Sequence, residues 1–295
     1  MKSYSLDIAG YNIAIQSAED GPDLVPAPRF ASSICPATAS DLLISVHEGH
    51  FPLPISATRV FHAPLVEELD GIRSTMDDNF WSVFRSGEDL FIETSLPFSD
   101  EGNRTLLKFS LNNLQWDLWI ESGSATVDPL EYPLDSLILY YLTTINGDIM
   151  IHASGVNHSG KGYIFSGISG TGKSTMAKIW GMSGSRVIHD DRLVIKNISG
   201  KYTMFNTPVY ENDSPRKSEV NRIFLIGHGQ KNRLEPVQGA RAVSLVLANC
   251  IQHNWNREII ARLVGAVSMM CSSLPVAKLD FKPDREIIDL VLYYE

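Results

Sequence analysis

The stretch Gly167-Ile168-Ser169-Gly170-Thr171-Gly172-Lys173-Ser174-Thr175 fits the pattern GxxxxGK[ST] without a mismatch. The apolar run Tyr163-Ile164-Phe165 precedes it and Met176-Ala177-Lys178-Ile179-Trp180 follows, so it sits where a strand turns into a helix. That is the context a phosphate-binding loop requires. Gly167, Gly170 and Gly172 permit backbone turns that a Cβ resists, so successive N–H groups can face one phosphate chain. The positive end of the following helix adds to that nest. Lys173 brings a mobile point charge to the β- and γ-phosphates of a nucleotide, and the Ser174 hydroxyl suits the Mg²⁺ that accompanies them. Ser169, Thr171 and Thr175 complete the binding stretch. A glycine-rich turn that binds nothing is the alternative, and it leaves the match of motif and flanks to coincidence.

With 295 residues, 44% of them hydrophobic, the chain has material for about two domains. The net charge of −9 and the lack of a basic tract argue against a nucleic-acid surface. The first residues, Met1-Lys2-Ser3-Tyr4-Ser5-Leu6-Asp7, lack the apolar core of a secretory signal, and no apolar run reaches the roughly twenty residues a membrane span needs. The expectation is a cytoplasmic protein with no membrane partner. Cys35, Cys250 and Cys271 form no CxxC pair and leave an odd one over, which speaks against a disulfide framework or a cysteine metal site.

Residues 1–125 read as a β-rich, mainly antiparallel N-terminal domain. Leu6 to Ile15, broken at Gly10, suggests two short strands, and residues 20–40, rich in Pro, Ala and Ser, suggest surface loop. Further strands are expected at Leu42–Val46, Asp89–Thr94, Thr105–Phe109 and Trp116–Ile120. His47 and His50 have no third ligand in view and read as surface histidines in a loop, while Phe80, Trp81 and Phe84 read as core. Asp128-Pro129 and Tyr132-Pro133 mark a junction.

Residues 134–295 read as an α/β domain. A buried helix spans Leu134 to Ile145, and Ile149–Val156 with Gly162–Phe165 form a hairpin that feeds the glycine-rich loop and carries His152 toward it. Arg186-Val187-Ile188 is a strand ending in His189-Asp190-Asp191-Arg192. Carboxylates at the exit of a strand beside the loop strand are placed to hold Mg²⁺ or its waters, or to take a proton from a nucleophile; a solvated turn is the plain alternative. Ile223–Ile226 is a buried strand after which His228 reads as a turn residue, and Asp213 to Lys217 reads as a solvated basic loop, with contact to an anionic substrate as the alternative. Helices are expected over Ala240–Ile251, Glu258–Met270 and Arg285–Leu292, with a last strand at Val276–Phe281.

His152-Ala153-Ser154-Gly155-Val156, the loop Gly167 to Ser174, and Val187-Ile188-His189-Asp190-Asp191-Arg192 together resemble the catalytic domain of the HPr kinase/phosphorylase family, itself related to phosphoenolpyruvate carboxykinase. The resemblance covers about residues 134–281. It implies a P-loop domain that transfers the γ-phosphoryl group of ATP to a serine hydroxyl. Lys173 and Ser174 would then hold the phosphates and Mg²⁺, Asp190 would help place the metal, Asp191 would be the base, and His152 the active-site histidine near the transferred phosphate. Asn206-Thr207-Pro208 resembles a Gly-Thr-Pro element of kinase-like relatives, with Asn in place of Gly. The glycine-rich signature tied to phosphorylase activity is absent, and the first 125 residues do not resemble the regulator's own N-terminal domain. The expectation is therefore an ATP- and Mg²⁺-dependent serine kinase acting on a peptide, a protein or a small molecule, with a homo-oligomer left open. A non-catalytic nucleotide-binding module is the alternative.

Overall fold

The computed structural model describes residues 1–37, 39–51, 53–69, 72–95, 104–122, 124–209 and 213–294. It is a mixed α/β chain, mostly strand, in two compact units. One comprises Met1–Leu142 with Pro208–Ser214, the other Thr143–Thr207 with Pro215–Glu295.

The first unit contains β1 (Ser3–Ile8), β2 (Tyr11–Ser17), β3 (Asp23–Leu24), β4 (Ile34–Cys35), β5 (Leu42–Glu48), β6 (Thr58–Leu69), β7 (Ile72–Ser86), β8 (Asp89–Ser95), β9 (Arg104–Phe109), β10 (Gln115–Glu121) and β11 (Thr126–Val127). Nine of these form one sheet in the order β4-β1-β2-β5-β10-β9-β8-β7-β6. Pairing is parallel at β2/β5 and β5/β10 and antiparallel elsewhere. Alternation builds its core: Leu42, Ile44 and Val46 of β5 and Trp116, Leu118 and Ile120 of β10 are buried. His47 and Trp119 lie on the opposite face, their rings stacked 4.9 Å apart.

Three sequence expectations change here. The β6/β7 hairpin lies in a stretch where no strand was expected. His47 lies within β5 and not in a loop, paired to Asp117 at 2.9 Å. The helix α1 (Leu134–Ile145), expected with the C-terminal domain, places Leu134–Leu142 in the first unit, where the Tyr141 ring packs 4.6 Å from Phe109.

The second unit contains β12 (Ile149–His158), β13 (Lys161–Ser166), α2 (Lys173–Met182), β14 (Arg186–His189), β15 (Arg192–Ile198), β16 (Lys201–Asn206), β17 (Lys217–Glu219), β18 (Arg222–His228), β19 (Arg233–Val237), α3 (Gly239–Leu247), α4 (Arg257–Ser273), β20 (Val276–Phe281) and α5 (Glu286–Tyr293). Its sheet runs β17-β16-β15-β12-β13-β18-β20-β19, with β14 also paired to β12. Both faces are covered, which is why β13 and β18 are apolar without alternation. Ile164, Ile223, Leu225 and Val276 point toward Ala242 and Val246 of α3 and Leu263 and Val267 of α4. Tyr163, Phe165, Phe224, Ile226 and Leu279 point toward Trp180 of α2 and Ile287 and Val291 of α5. Because β13, β18 and β20 are mutually parallel, their C-terminal ends share one edge of the sheet. Among the described residues no helix is long and apolar enough to cross a membrane.

One charge in the first unit is held against its preference. Burial raises the Asp128 carboxyl to about 6, opposed by its hydrogen bond from the Leu130 N–H and by Arg29, and reinforced by Glu131 and Asp135. A carboxyl whose folded pKa lies above its unfolded 3.8 favours folding while protonated, so this contribution is lost as pH rises from about 4 through about 6. Asp128→Asn keeps the acceptor and removes the charge. The variant is expected to gain up to about 3 kcal/mol at pH 7 and nothing below pH 4. Thermal melts at the two pH values check this, and an equal shift at both refutes it.

Candidate functional site

Strand β13 ends at Ser166 and α2 begins at Lys173, so residues 167–172 form the connection. Backbone proximity demands glycine at its first position. A Cβ on Gly167 would come within 2.6 Å of Thr171 Oγ1 and 2.9 Å of the Ile226 carbonyl oxygen on β18. Gly170 and Gly172 have φ of 81° and 93°, in the left-handed region. A Cβ on Gly172 would also meet Phe281 Cζ at 2.7 Å.

Inside this loop the donors gather on one acceptor. The Ile168 carbonyl receives the Thr171 N–H at 3.3 Å, Thr171 Oγ1 at 2.7 Å and Lys173 Nζ at 3.0 Å. Lys173 Nζ also donates to the Gly167 carbonyl at 2.8 Å. Three donors on one carbonyl exceed its two lone pairs, so an anion offering several oxygens would serve them better. Ser169, Ser174 and Thr175 are exposed, the last two on the first turn of α2, where backbone N–H groups have no partner within the helix.

The acidic residues are placed by strand pairing. One edge of β12 is shared by two strands in succession: Gly155 and Val156 register with His189 and Val187 of β14, while Ile151 and His152 register with Leu193 and Arg192 of β15. Asp190 and Asp191 bridge the two strands. The Asp191 carbonyl accepts from the Ala153 N–H at 3.1 Å, and the buried His189 accepts through Nδ1 from the N–H groups of Asp191 (3.0 Å) and Arg192 (3.1 Å). Two acceptances at Nδ1 leave that nitrogen unprotonated. The Asp191 carboxylate takes Arg192 Nε at 3.1 Å on one oxygen, and its other oxygen lies 4.0 Å from His152 Nδ1. Asp190 sits half-buried on the same link.

Electrostatics ties this link to the loop. Burial lowers the His152 pKa below its usual value; Asp191 pulls it up, and Arg192 and Lys173 push it down. Burial also lowers the Lys173 pKa, against the pull of Asp191. His152, Lys173, Asp191 and Arg192 therefore act on one another, with the balance at His152 on the lowering side. Among the described residues no three His, Cys, Asp or Glu side chains group as a metal site. Ser174 and Asp190 offer the hard oxygens that suit Mg²⁺, an ion that keeps waters and takes phosphate oxygens in place of a full protein cage.

Three contributors escaped the sequence reading. Arg192 had a signal, its place directly after the acidic pair, and it binds Asp191. His189 orders the link from beneath. His228, expected in a turn, closes β18, and its Nε2 lies 2.8 Å from the Gly170 carbonyl oxygen. The Asp213 to Lys217 segment is also not simply a solvated loop. Arg216 donates through Nε to the Ile188 carbonyl at 2.8 Å, its N–H meets Asn206 Oδ1 at 2.6 Å, and Lys217 opens β17. Thr207 Oγ1 reaches the Arg192 carbonyl at 3.4 Å, which brings Asn206-Thr207 beside the acidic link.

No family model matches this chain, and no curated protein matches it. Among solved structures it is similar to the HPr(Ser) kinase/phosphatase from Coxiella burnetii at 12% identity, with a TM-score of 0.30, over 49% of this chain and 94% of that one.

Proposed function

We propose that this chain is an ATP- and Mg²⁺-dependent kinase of the HPr-kinase-like P-loop type, transferring the γ-phosphoryl group to a serine hydroxyl of a peptide, protein or small molecule. The observation that carries the reading is the meeting of a glycine-rich loop and its lysine with a carboxylate and a histidine at one end of the sheet. Phosphoryl transfer asks little covalent chemistry of a protein; it asks for clamped phosphates, neutralised charge and an aligned nucleophile.

Each task has a candidate here. The residues 167–172 and the first turn of α2 bind the phosphate chain, and Lys173 leaves the Gly167 and Ile168 carbonyls to meet the β- and γ-phosphates. Ser174 and Asp190 would hold Mg²⁺, which would supply positive charge against the phosphate oxygens. Asp191 accepts the proton of the acceptor hydroxyl. Arg192 holds its carboxylate in one orientation, and His152, next to it, hydrogen-bonds the hydroxyl or receives the proton in turn. Asp191→Asn is expected to cut kcat for transfer from γ-³²P-ATP by about 10²- to 10⁴-fold, with the Kd for ATP changed by less than about threefold. Lys173→Ala should lose ATP binding and transfer together. Label passing unchanged through Asp191→Asn sinks the base assignment; tight ATP binding without transfer to serine peptides, small alcohols or the chain itself turns the reading to a non-catalytic nucleotide-binding module.

His152 offers a separate check by NMR titration. Its midpoint is expected below the ordinary 6.5. Removing the Asp191 charge with Asn takes away a group that raises the pKa, so the midpoint falls further. Lys173→Ala takes away a group that lowers it, so the midpoint rises. Shifts of the opposite sign refute the shared site.

A further inference from the structure

The C-terminal ends of β18 and β20 lie beside the glycine-rich loop, and each contributes a ring to it. His228 and Phe281 are register partners across the parallel pair, and their rings stack with centroids 6.3 Å apart. Phe281 lies against Gly172, where it leaves no room for a Cβ, and His228 Nε2 stands 2.8 Å from the Gly170 carbonyl oxygen. A carbonyl can only accept, so the imidazole presents N–H at Nε2. We infer that His228 is a positioning residue that sets the orientation of the Gly170–Thr171 peptide and thereby the affinity of the loop for the nucleotide's phosphates. The inference rests on the kinase reading for its ligand but not for its geometry.

The physical reason is the planarity of the amide. A trans peptide carries its C=O and its N–H on opposite sides, so fixing one fixes the other. With the Gly170 carbonyl drawn outward to His228, the Thr171 N–H turns inward to the Ile168 carbonyl, the same acceptor that gathers Lys173 Nζ and Thr171 Oγ1. Gly170 is free to rotate because it has no Cβ, and its φ of 81° lies where glycine has alternatives of similar energy. His228 therefore adds a second restraint to the Thr171 N–H bond on the Ile168 carbonyl, holding the same peptide from its other side. His228 is exposed and belongs to neither core cluster, so its replacement changes this contact while the packing of the unit remains.

His228→Phe keeps a ring against Phe281 and deletes the donor, whereas His228→Gln deletes the ring and keeps an N–H donor of similar reach. In the full chain without nucleotide, amide hydrogen exchange at Thr171 should quicken by about fivefold or more in the Phe variant, the scale of one lost hydrogen bond, and stay near wild type in the Gln variant. The Kd for ATP·Mg²⁺ from calorimetry should rise by a similar factor in the Phe variant, with kcat changed much less. Wild-type exchange and affinity in the Phe variant, or a Gln variant as defective as Phe, overturns the inference. A wild-type chain that binds no ATP overturns the kinase reading instead, and the exchange at Thr171 still decides the role of His228.

Discussion

Strand β12 is paired on one edge by β14 and then by β15, and the chain between those two strands has nowhere to go but across the edge. That constraint places Asp190 and Asp191. The backbone at Asp191 is held from one side by the Ala153 N–H and from below by His189 Nδ1, so its carboxylate departs from a fixed point. The other edge of β12 pairs with β13, which ends in the glycine-rich loop. A single strand therefore sets the distance between the acidic link and Lys173, and it carries His152 between them. A register slip of one residue would turn His152 into the core and an apolar neighbour to the solvent.

The loop itself is defined by what surrounds it more than by its own contacts. Ile226 on β18 approaches so closely that only hydrogen fits at Gly167, and Phe281 on β20 does the same at Gly172. These strands are parallel to β13, with helices over both faces, so the edge that carries the loop is backed by Trp180, Phe165 and Phe224 in one aromatic cluster. Rigid backing of this kind suits a site whose work is orientation, since misplacement of an aligned nucleophile costs rate steeply.

Much of the second unit was legible in the residues. The strand Tyr163-Ile164-Phe165 feeding a glycine-rich turn, the hairpin of Ile149–Val156 with Gly162–Phe165, and the last strand at Val276–Phe281 all follow from local apolar period and turn chemistry. The β6/β7 hairpin was not legible, because its strands carry many charged and polar residues and offer no clean alternation of apolar ones. His228 was misread for a related reason. Its glycine neighbours signal a turn, while the partner that gives it a task lies 58 residues away.

What the sequence determined by itself was the local chemistry: a strand, a phosphate-loop pattern and a helix in order, an acidic pair after a strand, and a histidine ahead of both. These depend on neighbours in the chain, so a reading of spacing and residue type reaches them. Only the tertiary structure decided which of those groups share one field. It placed Arg192 on Asp191, His189 beneath the link, His228 on Gly170, and the first turns of α1 with the β-rich unit. Each of these rests on pairing between strands or on packing across a sheet, and the energy of such contacts belongs to pairs distant in sequence, which no local pattern encodes.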